Sequence, residues 1–204
     1  MKTIIGLFIA LCFTGCAIQT QCDYRTYLGA ESGVLVFGDS RMWQAQTRWY
    51  EIGHRVIDYS QGGSAISGVI DRLQYVDMNQ FKFDIIYCQI GINDIGAGFS
   101  VINYINDYRK AIQTMKTYTD KIVIGSIIGI TSTSAVMIDN NAVTQWNIQL
   151  KALCIEQGVT YFDCGFMSDG INGIFDFFQT DGLHFSWNGY SVLMPQIKNI
   201  INSL

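Results

Sequence analysis

The feature that most restricts the fold of this chain is a regular alternation of two hydrophobic periods along most of its length. Five short apolar runs rich in β-branched residues, at Val34 to Phe37, Arg55 to Tyr59, Asp84 to Ile90, Lys121 to Ile128 and Val159 to Cys164, read as strands. Helical spacing fills the intervals. Ile66, Val69, Ile70 and Leu73 share one helix face, as do Val101, Ile105, Tyr108, Ile112 and Met115 behind the capping residue Ser100. A further helix is capped by Asn140 or Asn141 and stops at Gly158, and a last one follows Ser186 with a continuous stripe from Tyr190 to Leu204. Trp43 and Trp49 fall on the helix after the first strand, and Trp187 opens the last one.

Strands alternating with helices favour a parallel sheet, because right-handed crossovers return each strand beside a parallel neighbour and cover the sheet on both faces. The chain has 204 residues, 49% hydrophobic and 15% charged, which suits one domain with a large core and excludes intrinsic disorder. A net charge of -4 without any run of Lys or Arg offers no counter-charge to phosphate backbones, so nucleic acid is not an expected partner.

The N-terminus reads as an address rather than as fold. Lys2 precedes an apolar run from Ile4 to Phe13, shorter than the roughly 20 residues that a membrane-spanning helix needs but suited to a signal-peptide core. Phe13-Thr14-Gly15-Cys16 resembles the bacterial lipobox, which usually has Leu where this chain has Phe13. That resemblance implies removal of residues 1–15, lipidation of Cys16 and attachment to a membrane, with residues 16–28 as a tether to a domain spanning 29–204. Cys22, Cys88, Cys154 and Cys164 lack metal-ligand spacing, and Cys154 and Cys164 read as buried thiols rather than a bridge.

In a parallel sheet, ligands bind beyond the carboxyl ends of the strands. Four segments lie at such ends or before the last helix: Gly38-Asp39-Ser40-Arg41, Ser60-Gln61-Gly62-Gly63-Ser64, Gly91-Ile92-Asn93-Asp94 and Asp181-Gly182-Leu183-His184. In this order they resemble the SGNH, or GDSL-like, family of esterases and acylhydrolases, over Gly33 to Leu204, with Arg41 standing where the family has Leu. The resemblance implies a doubly wound, flavodoxin-like three-layer α/β sandwich with about five parallel strands.

A serine hydroxyl is a poor nucleophile at neutral pH, so Ser40 needs a base within reach and donors for the charge that develops on the attacked oxygen. His184 is one of two histidines and the natural base; the other, His54, precedes a strand and falls at the opposite end of the sheet. Asp181 is three residues before His184, able to orient its ring and stabilise the imidazolium, whereas Asp169 and Asp176 have no matching family position. The family match assigns the oxyanion donors to the Ser40 N–H, the Gly63 N–H and the Asn93 amide, with Gly62 as the alternative to Gly63. Asp39 and Asp94 are expected to hold loop backbones. The implied reaction is acyl-ester hydrolysis through an acyl-Ser40 intermediate, without metal or organic cofactor, failing in acid as the imidazole protonates.

Substrate is read from loop composition. Gly129 to Asp139 is rich in Ser and Thr, and Gly165 to Thr180 carries Phe166, Phe175, Phe177 and Phe178, for which packing beneath a long loop is favoured over lining an acyl pocket or stacking on a sugar. No long apolar insertion that would make a deep acyl pocket is evident. The family includes carbohydrate acetylesterases, lysophospholipases and thioesterases. Export and a shallow site favour a short-chain esterase acting on O-acetyl groups of carbohydrate. The alternatives are a lysophospholipase or thioesterase-type acylhydrolase, and a catalytically idle surface glycan-binding protein.

Overall fold

Leu35 and Phe37 point to one side of a central strand and Val34 and Val36 to the other, and this two-residue period recurs through the sheet. The computed structural model describes residues 25–27, 31–76 and 83–204. Cys16, Cys22 and the expected signal peptide lie outside the described residues, as does most of the expected tether. The strands are β1 (Arg25–Tyr27), β2 (Glu31–Gly38), β3 (His54–Asp58), β4 (Ile85–Gln89), β5 (Lys121–Gly125) and β6 (Thr160–Phe162), in the spatial order β1-β3-β2-β4-β5-β6. β2 to β6 are parallel, as the alternation predicts, and counted among themselves they run 2-1-3-4-5, the flavodoxin-like order. β1, inside the stretch read as tether, adds an antiparallel edge, pairing Thr26 with Ile57.

Both faces of the sheet are covered. Leu35, Phe37, Ile57, Ile86, Cys88, Ile122 and Ile124 pack under α2 (Ile66–Leu73), α4 (Val101–Met115) and α5 (Asn140–Gln157). Val34, Val36, Val56, Ile85, Tyr87 and Val123 pack under α1 (Ser40–Gln44), the 3-10 turn Trp49–Ile52 and α6 (Trp187–Asn202). Leu35 and Ile86 are completely buried, and truncating either to Ala should cost about 2–5 kcal/mol.

Several local expectations shift. The first helix stops at Gln44, so Trp49 lies on a separate 3-10 turn, where it is buried and its Nε1 donates to Asp58 at 3.3 Å. Asp139, rather than Asn140 or Asn141, caps α5 by accepting from Asn141 N–H. Asn140 is instead buried, with its amide bonded to both backbone groups of Ile130 at 2.9 and 2.8 Å. Ser100 and Ser186 cap α4 and α6 as expected, and Gly158 ends α5 at φ +62°. Shortly after β4 the chain forms the short helix α3 (Ile92–Gly96).

The connection after β2 runs on the α1 face, while that after β4 runs on the opposite face with α4. The divergence opens a crevice at the carboxyl ends of these two neighbouring strands, the general ligand position in such sheets.

Candidate active site

Ser40 follows β2 directly, because Gly38 ends the strand and the Asp39 side chain caps α1 by accepting from Arg41 N–H at 2.9 Å. A Cβ on Gly38 would lie 3.0 Å from the Gln89 carbonyl and overlap Met42, so glycine is required for the sharp exit. Across the crevice, His184 Nε2 is 2.9 Å from Ser40 Oγ, and His184 Nδ1 is 2.7 Å from Asp181 Oδ2. The other Asp181 oxygen accepts the backbone N–H groups of Leu183 and His184 at 2.9 and 3.0 Å. One carboxylate therefore folds its own loop and aims the ring. With the Nδ1 proton donated to Asp181, Nε2 is left to accept from the Ser40 hydroxyl. Desolvation pushes the Asp181 carboxyl up, but bonds from the His184 ring and the two backbone N–H groups outweigh it and hold it below the usual carboxylate range.

Gln61 to Ser64 forms a turn closed by Ser64 N–H donating to the Gln61 carbonyl at 3.2 Å, with Gly63 at φ +71°. Asn93, on the first turn of α3, donates one amide N–H to the Ser64 carbonyl at 3.0 Å, which leaves its second for a ligand. The two expected oxyanion segments are thus in direct contact. A Cβ on Gly62 would lie 4.0 Å from Ser40 Cβ, while one on Gly63 would meet nothing within that distance, so of the two glycines it is Gly62 whose Cβ position faces Ser40.

These geometries gather Ser40, His184, Asp181, Asn93 and the Gly62-Gly63 turn at one end of the sheet, as the strand-end argument predicts. Residues 29–192 match the sequence model of the GDSL-like lipase/acylhydrolase family. The chain belongs to the GDSL-like lipase/acylhydrolase family. No curated protein matches the chain. Among solved structures, a lipase/acylhydrolase from Enterococcus faecalis is 18% identical, with a TM-score of 0.72 over 85% of this chain and 96% of that one. A lipolytic protein of the G-D-S-L family from Veillonella parvula is 22% identical, with a TM-score of 0.69 over 85% and 100% of the two chains. An acetylxylan esterase from Geobacillus stearothermophilus is 17% identical, with a TM-score of 0.64 over 85% and 95%. At these identities the likeness establishes the fold, and membership of the GDSL-like family establishes hydrolysis of acyl esters as the class of chemistry.

Other expectations for this GDSL-like chain can be placed. His54 opens β3 at the opposite end of the sheet, with Nε2 2.8 Å from Asn202 Oδ1. Asp169 accepts the backbone N–H groups of Ile171 and Asn172, and Asp176 is exposed in a 3-10 turn. Phe178 is buried against Phe185, ring centres 5.4 Å apart, whereas Phe175 is exposed. Trp187 is exposed, with the Arg48 guanidinium 4.0 Å from its ring centre. Cys88, Cys154 and Cys164 are free and buried, and burial pushes each thiol up to about 12. Among the described residues no group of three or more His, Cys, Asp or Glu is placed to hold a metal ion.

Sequence reasoning missed Arg72. It is buried on α2, and its guanidinium donates to Gln61 Oε1 at 3.0 Å and to Ser64 Oγ at 2.8 Å, bracing both ends of the Gly62-Gly63 turn. The available signal was a cation next to Leu73 on the apolar face of α2. An open depression of about 640 Å³ borders the catalytic-end loops, lined by Thr131, Ser134, Val136, Met137 and Asn172 among others. Ser134 Oγ donates to the Asp181 carbonyl at 2.9 Å, so this depression adjoins the His184 loop.

Proposed function

We propose that this chain is a serine esterase that hydrolyses short-chain acyl esters, in particular O-acetyl groups on carbohydrate, through an acyl-Ser40 intermediate. The observation that carries the reading is the continuous line of hydrogen bonds from Ser40 Oγ through the His184 ring to Asp181, at 2.9 and 2.7 Å. In this reading His184 takes the hydroxyl proton as Ser40 attacks the ester carbonyl, and Asp181 stabilises the imidazolium. The Ser40 and Gly63 N–H groups and the free Asn93 N–H receive the oxyanion. His184 returns the proton to the leaving alcohol, and water then releases the acid by the same steps.

A carbohydrate alcohol is supported by the depression that adjoins the His184 loop. The neighbouring depression mixes the Thr131 and Ser134 hydroxyls and the Asn172 amide with Val136 and Met137, which suits a polar alcohol better than a long alkyl chain. The likeness to an acetylxylan esterase is in keeping with this reading. The N-terminal sequence supports export with a lipid anchor on Cys16, which would hold the enzyme at a membrane surface facing external glycans.

The test is acetate release from a panel of O-acetylated glycans together with an aryl ester chain-length series. Release of acetate and a maximum at two to four carbons are expected. A maximum at eight carbons or more would favour a lysophospholipase or lipase, and glycan binding without hydrolysis of any aryl ester would favour an idle binding protein.

A further inference from the structure

The side chain that follows Ser40 is directed inward. Arg41 is 4% exposed, and a guanidinium presents five N–H donors in a rigid plane. Its Nε donates to the Leu183 carbonyl at 2.9 Å and its Nη2 to the Gly129 carbonyl at 3.0 Å, while Nη1 donates to the Ile128 carbonyl. These acceptors belong to two loops, one following β5 and one carrying Asp181 and His184. The backbone of Arg41 makes a second link, its carbonyl accepting the Tyr190 hydroxyl from α6 at 2.5 Å. The guanidinium carbon also lies 5.0 Å from the ring centre of Phe185 and 5.8 Å from that of Phe178. Leu183 and Phe185, the two chain neighbours of His184, are therefore both held by the chain neighbour of Ser40.

Burying a cation among carbonyl dipoles is costly, and an apolar side chain would fill an interior position more cheaply. Burial pulls the guanidinium pKa down to about 10, with the charge of Asp39 opposing, so it remains protonated at neutral pH. What the cation supplies in return is geometric: three backbone oxygens from two separate loops converge on one rigid plane. A one-ångström displacement between reacting groups can cost about 100-fold in rate.

We propose that Arg41 is a positioning residue for the Ser40 and His184 pair, tying the Leu183 carbonyl to those of Ile128 and Gly129 so that the imidazole stays within hydrogen-bond distance of the hydroxyl. The inference rests on the esterase reading above. It concerns a side chain that touches no reacting atom and acts through the loop that carries the base.

The test compares wild type, Arg41→Ala, Arg41→Lys and Tyr190→Phe for kcat and KM on p-nitrophenyl acetate, for the rate of labelling by a fluorophosphonate, and for thermal unfolding. Arg41→Ala is expected to lose about 100-fold in kcat with KM within about threefold, and to slow in labelling by a similar factor. Arg41→Lys, which keeps the charge and part of the donor set, should recover about tenfold of that loss. Tyr190→Phe removes one hydroxyl and keeps the ring, and should lose about three- to tenfold in kcat with the same pattern. A purely structural role would lower the melting temperature and leave kcat of the folded enzyme and its labelling unchanged.

Folded Arg41→Ala with kcat and labelling within about twofold of wild type, or a loss carried wholly by KM, overturns the proposal. Should Arg41→Ala not fold, Tyr190→Phe decides, and wild-type kcat in that variant overturns it. Wild type that neither hydrolyses the ester nor takes the label would overturn the esterase reading itself, an outcome distinct from active wild type with unaffected variants.

Discussion

Both oxygens of the Asp94 carboxylate receive the backbone N–H of Ile66, at 3.1 and 3.3 Å, and the bond fastens α3 to the start of α2. It binds the helix that bears Asn93 to the helix that follows the Gly62-Gly63 turn. The anchor is an ionisable group with no exposed surface. Burial raises its pKa to about 6, although the Ile66 N–H favours the charged form.

This gives Asp94 a pH signature. Between the ordinary value of 3.8 and about 6 the folded chain holds a proton that the unfolded chain has lost. The contribution of Asp94 to stability therefore declines as pH rises through that window, and the full cost is present above it. Asp94→Asn does not titrate. Urea unfolding should show the variant gaining on wild type by on the order of 2 kcal/mol between about pH 4 and pH 7. Parallel stability profiles for the two proteins would contradict the shift.

Asn93→Ala should lower kcat on an aryl acetate by about 100- to 1000-fold with little change in KM, because the amide acts on charge that exists only in the transition state. Unchanged kcat would remove Asn93 from the oxyanion site.

Asp181→Asn keeps an acceptor for the Leu183 and His184 N–H groups while removing the charge that orients the ring and supports the imidazolium. Turnover should fall by about 100- to 10,000-fold, with the fold retained by circular dichroism. The wild-type carboxyl lies below its ordinary value, so its contribution to stability is present above 3.8 and is lost as pH falls through the folded value. Turnover of the variant within tenfold of wild type would leave His184 without this orienter.

Gly182 separates Asp181 from Leu183 at φ +66°, and a Cβ there would overlap Thr131 Oγ1 and lie 2.9 Å from Ser134 Cα. Gly182→Ala must move the His184 loop away from the β5 side, so kcat should fall more than about tenfold along with the melting temperature. Wild-type kinetics in this variant would mean that the loop position is not critical.

The sheet was legible because burial on two faces leaves a plain mark: Leu35 and Phe37 alternate with Val34 and Val36, and the same pattern returns in Ile85 to Cys88. Ser40, Asn93 and the Asp181 to His184 segment were legible through the four-segment resemblance, and the gathering of parallel strand ends explains why the first two lie close together whatever their sequence distance. Arg41 and Arg72 were not, since both cations are buried and their roles depend on partners far along the chain, several of them main-chain oxygens that carry no residue-specific signal. Asn140 looked like a helix cap because that is the commoner local use of Asn, yet its amide serves the distant backbone of Ile130. The end of α1 at Gln44 escaped notice for a similar reason, as Trp49 satisfies apolar spacing equally well on a separate turn.

Mass spectrometry of the fluorophosphonate-treated enzyme asks whether Ser40 is the nucleophile. A single adduct on the Ser40 peptide of wild type is expected, with loss of both adduct and ester turnover in folded Ser40→Ala. An adduct on another residue, or full turnover without Ser40, would contradict it.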